Sequence, residues 1–294
     1  MNDAGKMGMI FEGFNTTFNK GFANALTQYT EIAMTVPSKT LTENYAWLGS
    51  LPRLREWIGD RIISGLKLHG YAITNKDFES TVCISRNSIQ DDQYGVYGPI
   101  FEKMGADAAL HPDELIFTLL KDGFSKKCYD NQNFFDTDHP VEHKGKIVSV
   151  SNMQDGTEVP WFLLDCSQPI KPLLFQDRKP FKLVVPNNDS DPNLFMRKQF
   201  VFGGDMRCNA GFGLWQLAYA SKAPLTKENY ELARKAMQSL KSDSGKPLGI
   251  RPTHLVVPTD LEGDGRRLLK ATTNGGESNE WADSAKLIVT PFIY

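Results

Sequence analysis

A chain of 294 residues, 40% apolar and 23% charged, is long enough for one large domain or several lobes, and its five Trp, nine Tyr and eighteen Phe exclude disorder along the whole length. Its 33 basic and 35 acidic side chains leave a formal charge of −2, which excludes a protein that grips nucleic acid by phosphate neutralisation. Cys83, Cys128, Cys166 and Cys208 form no CxxC pair, Met1-Asn2-Asp3 opens a polar stretch unlike a signal peptide, and no apolar run approaches the roughly 18 residues of a membrane span, so a cytosolic chain with reduced thiols is expected.

Along the first 45 residues Phe14, Phe18, Phe22, Leu26 and Tyr29 recur at helical spacing, while Gly5, Gly8, Gly13 and Gly21 weaken the helix. This apolar stripe needs a partner surface, either the chain's own core or a neighbouring subunit. Tyr45, Trp47, Leu48, Leu51, Leu54, Trp57, Ile58, Ile62 and Ile63 make a dense cluster, with a short amphipathic helix from Arg53 after Pro52. Tyr71 to Ile73 and Val82 to Ile84 alternate as half-buried strands around an Asn75-Lys76-Asp77 turn. A lone two-stranded ribbon is marginal in water and should lean on something.

Tyr97, Ile100, Phe101, Met104 and Ala108 share a helical face. A second helix is expected to start at His111-Pro112-Asp113-Glu114, with Leu115, Ile116, Leu119 and Leu120 inward and Gly123 as its cap. Residues 124–160 read as polar turns. Separate strands are expected at Val159–Leu164, Leu173–Phe175, Phe181–Val185, Phe200–Phe202 and Leu214–Ala220, punctuated by prolines. The C-terminal part reads as an α/β unit. Thr226 caps a helix lined by Tyr230, Ala233, Met237 and Leu240, Leu255–Val257 is a buried strand, Asp260–Lys270 a helix and Leu287–Val289 a last strand.

Catalytic motifs are sparse. Asp136-Thr137-Asp138-His139 brings two carboxylates and an imidazole together, which could serve a metal-dependent enzyme, but Asp in a turn-rich stretch more often bonds local amides, and the turn is preferred. His111 and His254 stand alone and read as capping or packing residues. Ser244-Gly245-Lys246 lacks the earlier Gly of a phosphate loop, because Leu240 stands there. Gly203-Gly204 and Gly211-Phe212-Gly213 make no dinucleotide fingerprint, and there is no GxSxG. No catalytic residue, metal ligand or cofactor is assigned.

Long ordered stretches do carry a resemblance. Trp47-Leu48-Gly49 to Leu54-Arg55-Glu56-Trp57, Lys76-Asp77-Phe78-Glu79, Gly95-Val96-Tyr97-Gly98-Pro99, His111-Pro112-Asp113, Cys128-Tyr129-Asp130 to Phe134-Phe135-Asp136-Thr137-Asp138-His139-Pro140, Asn209 to Ala218 and Gly249 to Pro258 resemble the Mu-like phage major head subunit, gpT. The likeness runs over about residues 9–293. It implies an α+β protein of the Hong Kong 97-type capsid fold. In that plan residues 1–45 are the N-terminal arm, 46–93 the extended loop with its β-ribbon, 94–220 the peripheral domain with spine helix and long β-sheet, and 221–294 the axial α/β domain.

The resemblance further implies a structural subunit, not an enzyme. It would self-assemble into hexamers and pentamers around double-stranded DNA, with separate scaffold, maturation protease and portal partners and no membrane, in the virion and, during assembly, in the host cytoplasm. An encapsulin-like nanocompartment shell of the same fold is the alternative. Phe14, Phe18, Phe22, Trp47, Trp57, Lys76, Asp77 and Phe78 are the candidate contacts between subunits. Buried Trp often dominates contact energy, so Trp57→Ala is expected to block closed shells more than it lowers soluble yield. Electron microscopy beside a solubility assay reads this, and normal particles from the variant would refute the role.

Overall fold

In a computed structural model, residues 3–46, 48, 70–91, 95–143, 146–184, 192–242, 245–274 and 277–293 are described. In chain order the elements are α1 (Asp3–Asn24), α2 (Tyr29–Ile32), β1 (Ala33–Pro37), β2 (Thr42–Asn44), β3 (Ala72–Thr74), β4 (Lys76–Ser85), α3 (Arg86–Gln90), α4 (Gly98–Lys121), β5 (His139–His143), β6 (Lys146–Val150), β7 (Met153–Gln154) and β8 (Trp161–Leu164). There follow β9 (Leu173–Val184), α5 (Pro192–Arg197), β10 (Gln199–Phe212), β11 (Ala218–Ser221), α6 (Lys227–Gln238), β12 (His254–Pro258), α7 (Glu262–Leu269), β13 (Thr273–Asn274), β14 (Glu277–Ser278) and β15 (Lys286–Thr290). No helix among the described residues is long and apolar enough to cross a membrane.

Two sheets organise these elements. The first has the order β1-β9-β10-β4, with β1 parallel to β9 and the rest antiparallel. The second has the order β15-β12-β8-β11-β7. The strand at 161–164, expected among the long strands, belongs to this second sheet, and its four residues are buried because α6 and α7 cover a sheet flanked on both sides of β8. The second sheet therefore draws β7, β8 and all of β11 but Ser221 from before residue 221, the expected border of the axial domain. Chain order does not fix sheet membership: β9 and β10 are an excursion into the first sheet.

The long strands are longer than alternation suggests. Leu173–Phe175 and Phe181–Val184 are one strand, with Pro180 inside. Proline is tolerated there because β1 pairs only as far as Asp177, so beyond that point one edge of β9 is open and needs no N–H. The register with β10 slips on either side of Arg207, which pairs with Lys179 next to Pro180, as a bulge requires. The expected pairing of the strands around Asn75 is overturned. β3 pairs with β2, and β4 pairs with β10 over ten residues, from Ser85–Gln199 to Lys76–Cys208. A ladder along β10 outweighs a local hairpin.

The spine is one helix, not two. α4 runs from Gly98 to Lys121 through Pro112. Proline inside a helix removes a hydrogen bond and crowds the preceding turn, but packing on both sides holds this one in line, with Phe101, Met104 and Ala109 buried before it and Ile116, Phe117 and Leu120 after it. Next to it the buried Asp113 carboxylate accepts the N–H groups of Gln28 (2.9 and 3.0 Å) and Tyr29 (2.7 Å), tying the end of the arm to the spine.

The arm stripe docks on its own chain. Phe11, Phe14 and Phe18 are buried with Phe101, Leu183, Phe200 and Phe202 in a second, smaller core. Phe14 stacks on Phe101 at 4.3 Å between ring centroids, and Phe18 on Phe181 at 5.5 Å. Phe14 and Phe18 thus leave the set of free contact residues. The two helices approach so closely because glycines face backbone: a Cβ on Gly21 would overlap the Glu102 carbonyl, and one on Gly105 the Phe18 carbonyl. Gly21→Ala is expected to push α1 off α4. Limited proteolysis should then release the first 24 residues faster than from the wild type, with cuts elsewhere unchanged.

Candidate assembly surface

The chain between Tyr45 and Tyr71 leaves and returns at one point. β2 and β3 pair from Thr42–Thr74 to Asn44–Ala72, and the Tyr45 N–H donates to the Tyr71 carbonyl at 2.7 Å. Behind this root lies a chain of buried polar groups. The Tyr45 hydroxyl donates to Gln176 Oε1 (2.8 Å), and Gln176 Nε2 donates to Asn75 Oδ1 (2.8 Å) and the Ile73 carbonyl (3.2 Å). Asn75 Nδ2 continues to Ser38 Oγ and the Thr40 carbonyl, both at 2.9 Å. Burial pushes the Tyr45 hydroxyl up to about 12, so it remains a donor. Trp47 and Trp57 lie outside the described residues.

A hairpin elsewhere in the chain is rooted the same way. β5 and β6 form a hairpin from His139–Val150 to His143–Lys146. At its base the backbones of Asp136 and Asn152 bond, the Asp136 N–H donates to Asn152 Oδ1 (2.9 Å), and buried Asn152 Nδ2 reaches the Phe134 carbonyl (2.8 Å). The outer strand is bare: Ile147 is 77% exposed and Val148 41%. Leu26, at 91%, and Phe22 stand exposed where the arm turns. No sequence signal separated Ile147 from ordinary turn residues, because the stretch had no strand expectation.

Lys76, Asp77 and Phe78 open β4. Asp77 pairs with Arg207 (Nε–Oδ1 2.6 Å), and Phe78 sits edge-on to His111 at 4.2 Å between centroids. Lys76 and Phe78 share the lining of a cleft of about 570 Å³ with Tyr71, His111, Lys126 and Lys127, whereas Phe22 lies outside that lining. His111, read as a capping or packing residue, packs on Phe78 and lines this cleft. His254 packs near Glu31 (3.6 Å), which also pairs with Lys286 (2.7 Å), so the arm's end is tied to the second sheet. Burial lowers the His254 pKa below its ordinary value.

The Asp136–His139 stretch divides in two. Asp136 is a turn residue whose carboxylate accepts the N–H groups of Thr137 (2.7 Å) and Asn133 (3.2 Å). His139 turns away from it into the interior, with Nδ1 2.7 Å from Asp130 Oδ2 and its ring stacked on Trp215 at 3.9 Å. Cys128 Sγ donates to the other oxygen of Asp130 at 3.0 Å. Asp130 and Cys128 were not singled out in the sequence, because Cys-x-Asp followed nine residues later by His has no standard ligand spacing.

An arm and a spine helix against a long sheet, with a rooted hairpin and a second mixed sheet, define a shell subunit of the Hong Kong 97 type. Solved phage shells match it along nearly their whole length. The procapsid of bacteriophage JBD30 superposes with a TM-score of 0.87 at 39% identity, covering 99% of this chain and 100% of that one. The JBD30 capsid gives 0.80 at 33% identity over 92% of each chain. In sequence the chain is 46% identical over 295 residues to the major capsid protein of Escherichia phage Mu, 97% of each being covered. It is 45% identical over 272 residues to the Mu-like prophage FluMu major head subunit of Haemophilus influenzae, covering 89% of this chain and 87% of that one.

The chain belongs to the family of the Mu-like prophage major head subunit gpT, whose model matches residues 7–293. It is a major capsid protein of a phage head, a structural subunit rather than an enzyme, and it assembles with copies of itself into a shell. The nanocompartment alternative gains no support from these relatives.

The root of the Tyr45–Tyr71 segment makes a direct stability claim. Gln176→Leu keeps the volume but removes the partner of the Tyr45 hydroxyl and of Asn75 Oδ1, at about 1–3 kcal/mol for each bond lost. Denaturant unfolding of the dissociated subunit should show this loss, whereas Leu26→Ala should change stability by no more than about 0.5 kcal/mol.

Proposed function

We propose that this chain builds hexamers and pentamers in which the segment between Tyr45 and Tyr71 and the β5–β6 hairpin reach across to neighbouring subunits. The observation that carries the reading is the pairing of bare surface with firm footing. Ile147 and Val148 are exposed apolar groups on a hairpin whose base is fixed by buried hydrogen bonds, and Phe22 and Leu26 are exposed at the end of the arm. A rigid root sets direction, and exposed apolar side chains supply contact area. Each contact is small, but contacts closed by symmetry act together, because the first raises the effective concentration for the next.

In this plan the arm is residues 1–45 and the extended loop 46–93. The peripheral domain holds α4 with the first sheet. The axial domain holds the second sheet, taking β7, β8 and β11 along with the chain beyond residue 221. Phe22, Trp47, Trp57, Lys76, Asp77 and Phe78 remain the proposed contacts of the arm and loop. The subunit encloses double-stranded DNA, and its −2 formal charge suits a wall that must not hold the packaged polymer. Scaffold, maturation protease and portal proteins complete the assembly, which takes place in the host cytoplasm.

Ile147→Asp tests the reading. An aspartate at a 77% exposed position leaves the fold of the single chain intact and places a charge in the proposed contact. Circular dichroism should match the wild type, while sedimentation and negative-stain microscopy should show free subunits or open fragments in place of closed particles. Closed particles at wild-type yield would remove the hairpin from the interface.

A further inference from the structure

Cys128, Asp130 and His139 meet in the interior at a place that the capsid role does not explain. Their ligand atoms, a thiol sulfur, a carboxylate oxygen and an imidazole nitrogen, lie within 4.8 Å of one another. All three side chains are shielded from water: Cys128 is 3% exposed, the Asp130 side chain 7% and His139 0%. The geometry points to a structural divalent-metal site, most suited to zinc, held by Cys128 Sγ, the Asp130 carboxylate and His139 Nδ1.

Four observations support it. The first is the donor set: a thiol and an imidazole with one carboxylate is a combination zinc takes and magnesium or calcium does not. The second is charge. A divalent ion with one thiolate, one carboxylate and a neutral imidazole sums to zero, which a buried site requires. The third is the present hydrogen bonding. Asp130 stands between the other two, one oxygen 3.0 Å from the sulfur and the other 2.7 Å from Nδ1, so the two hydrogens now bridging them occupy the space that a single ion would fill.

The fourth is support around the ligands, which metal sites need to fix their donors. The Gln132 N–H donates to Asp130 Oδ1 (3.1 Å), Trp215 stacks flat on the imidazole, and the Cys128 backbone is held by the Gln132 carbonyl at 2.8 Å. Burial keeps the free thiol above its ordinary pKa, so it is a protonated core cysteine until a metal displaces its proton. On binding, the thiol proton leaves to solvent as the metal–sulfur bond forms. The ring proton moves from Nδ1 to Nε2, and Asp130 exchanges its two hydrogen bonds for coordination. Three protein donors leave a fourth position on the ion. The ion would staple the turn after α4 to the first residue of the β5–β6 hairpin.

The test uses the full-length wild-type subunit with cobalt and zinc as probes, and does not depend on its assembly. Cobalt added in excess should produce a thiolate-to-cobalt charge-transfer band, saturating near one ion per chain, and zinc should abolish the band. C128S should remove the band, and H139N should weaken cobalt binding by more than the roughly 10–100-fold that loss of a supporting outer partner causes. C83S, which alters the exposed cysteine on β4, should leave the band intact. Zinc should raise the melting temperature of the wild type and of C83S. A wild-type chain with no charge-transfer band under excess cobalt overturns the proposal even if the variants fold poorly. So does a band that survives in C128S or disappears in C83S.

Discussion

The two ends of the Tyr45–Tyr71 segment and the base of the β5–β6 hairpin are held in place by buried side-chain amides. Gln176 has no exposure to solvent, yet its amide makes three good bonds, to Tyr45, Asn75 and Ile73, and so fixes where the chain departs at Tyr45 and returns at Tyr71. Asn152 does the same below the β5–β6 hairpin through Phe134 and Asp136. A buried polar group left alone is costly, whereas a fully satisfied network specifies one arrangement. An apolar residue at 176 would pack as well and would not choose a direction for Tyr45.

The arm obeys a different rule. Its stripe finds a surface within the chain, and glycines rather than large side chains decide how near α1 comes to α4. What the stripe does not bury is displaced to its end, at Phe22 and Leu26, beyond the last contact with the smaller core. From there Asp113 and Glu31 carry the chain to the spine and to the second sheet. The arm therefore joins the parts of one subunit before it offers anything to another.

The parts legible in the sequence are those whose signal is local. Thr226 caps α6, accepting the Asn229 N–H, and Tyr230, Ala233 and Met237 are its buried face, as their spacing requires. The strand at 254–258 and the last strand at 286–290 follow from short apolar runs, each closed by a proline. The family motifs likewise pointed to a head subunit. Pairing is what local pattern cannot show. Val82 and Ile84 alternate equally well whether their partner is β3 or β10, and Pro180 reads as a break until the edge it occupies is known. The same holds for the interior cluster. His139 was read with Asp136 and Asp138, its sequence neighbours, but β5 begins at His139 and turns its ring to the other side, toward Asp130 and Trp215.

The hairpin shows how a single chain can hold a structure it does not complete. Two strands alone are marginal in water, and β6 has four exposed residues out of five, so its own side chains add little. Its order comes from below, where Asp136 and Asn152 exchange bonds and His139 is fixed against Trp215. Stability at the root with bare apolar surface at Ile147 and Val148 is a poor arrangement for a solitary protein, because exposed apolar strands invite nonspecific pairing. It suits a subunit whose neighbours arrive at fixed positions. In the proposed assembly a neighbouring subunit would cover Ile147, and the buried amide beneath the hairpin would hold that cover in one orientation.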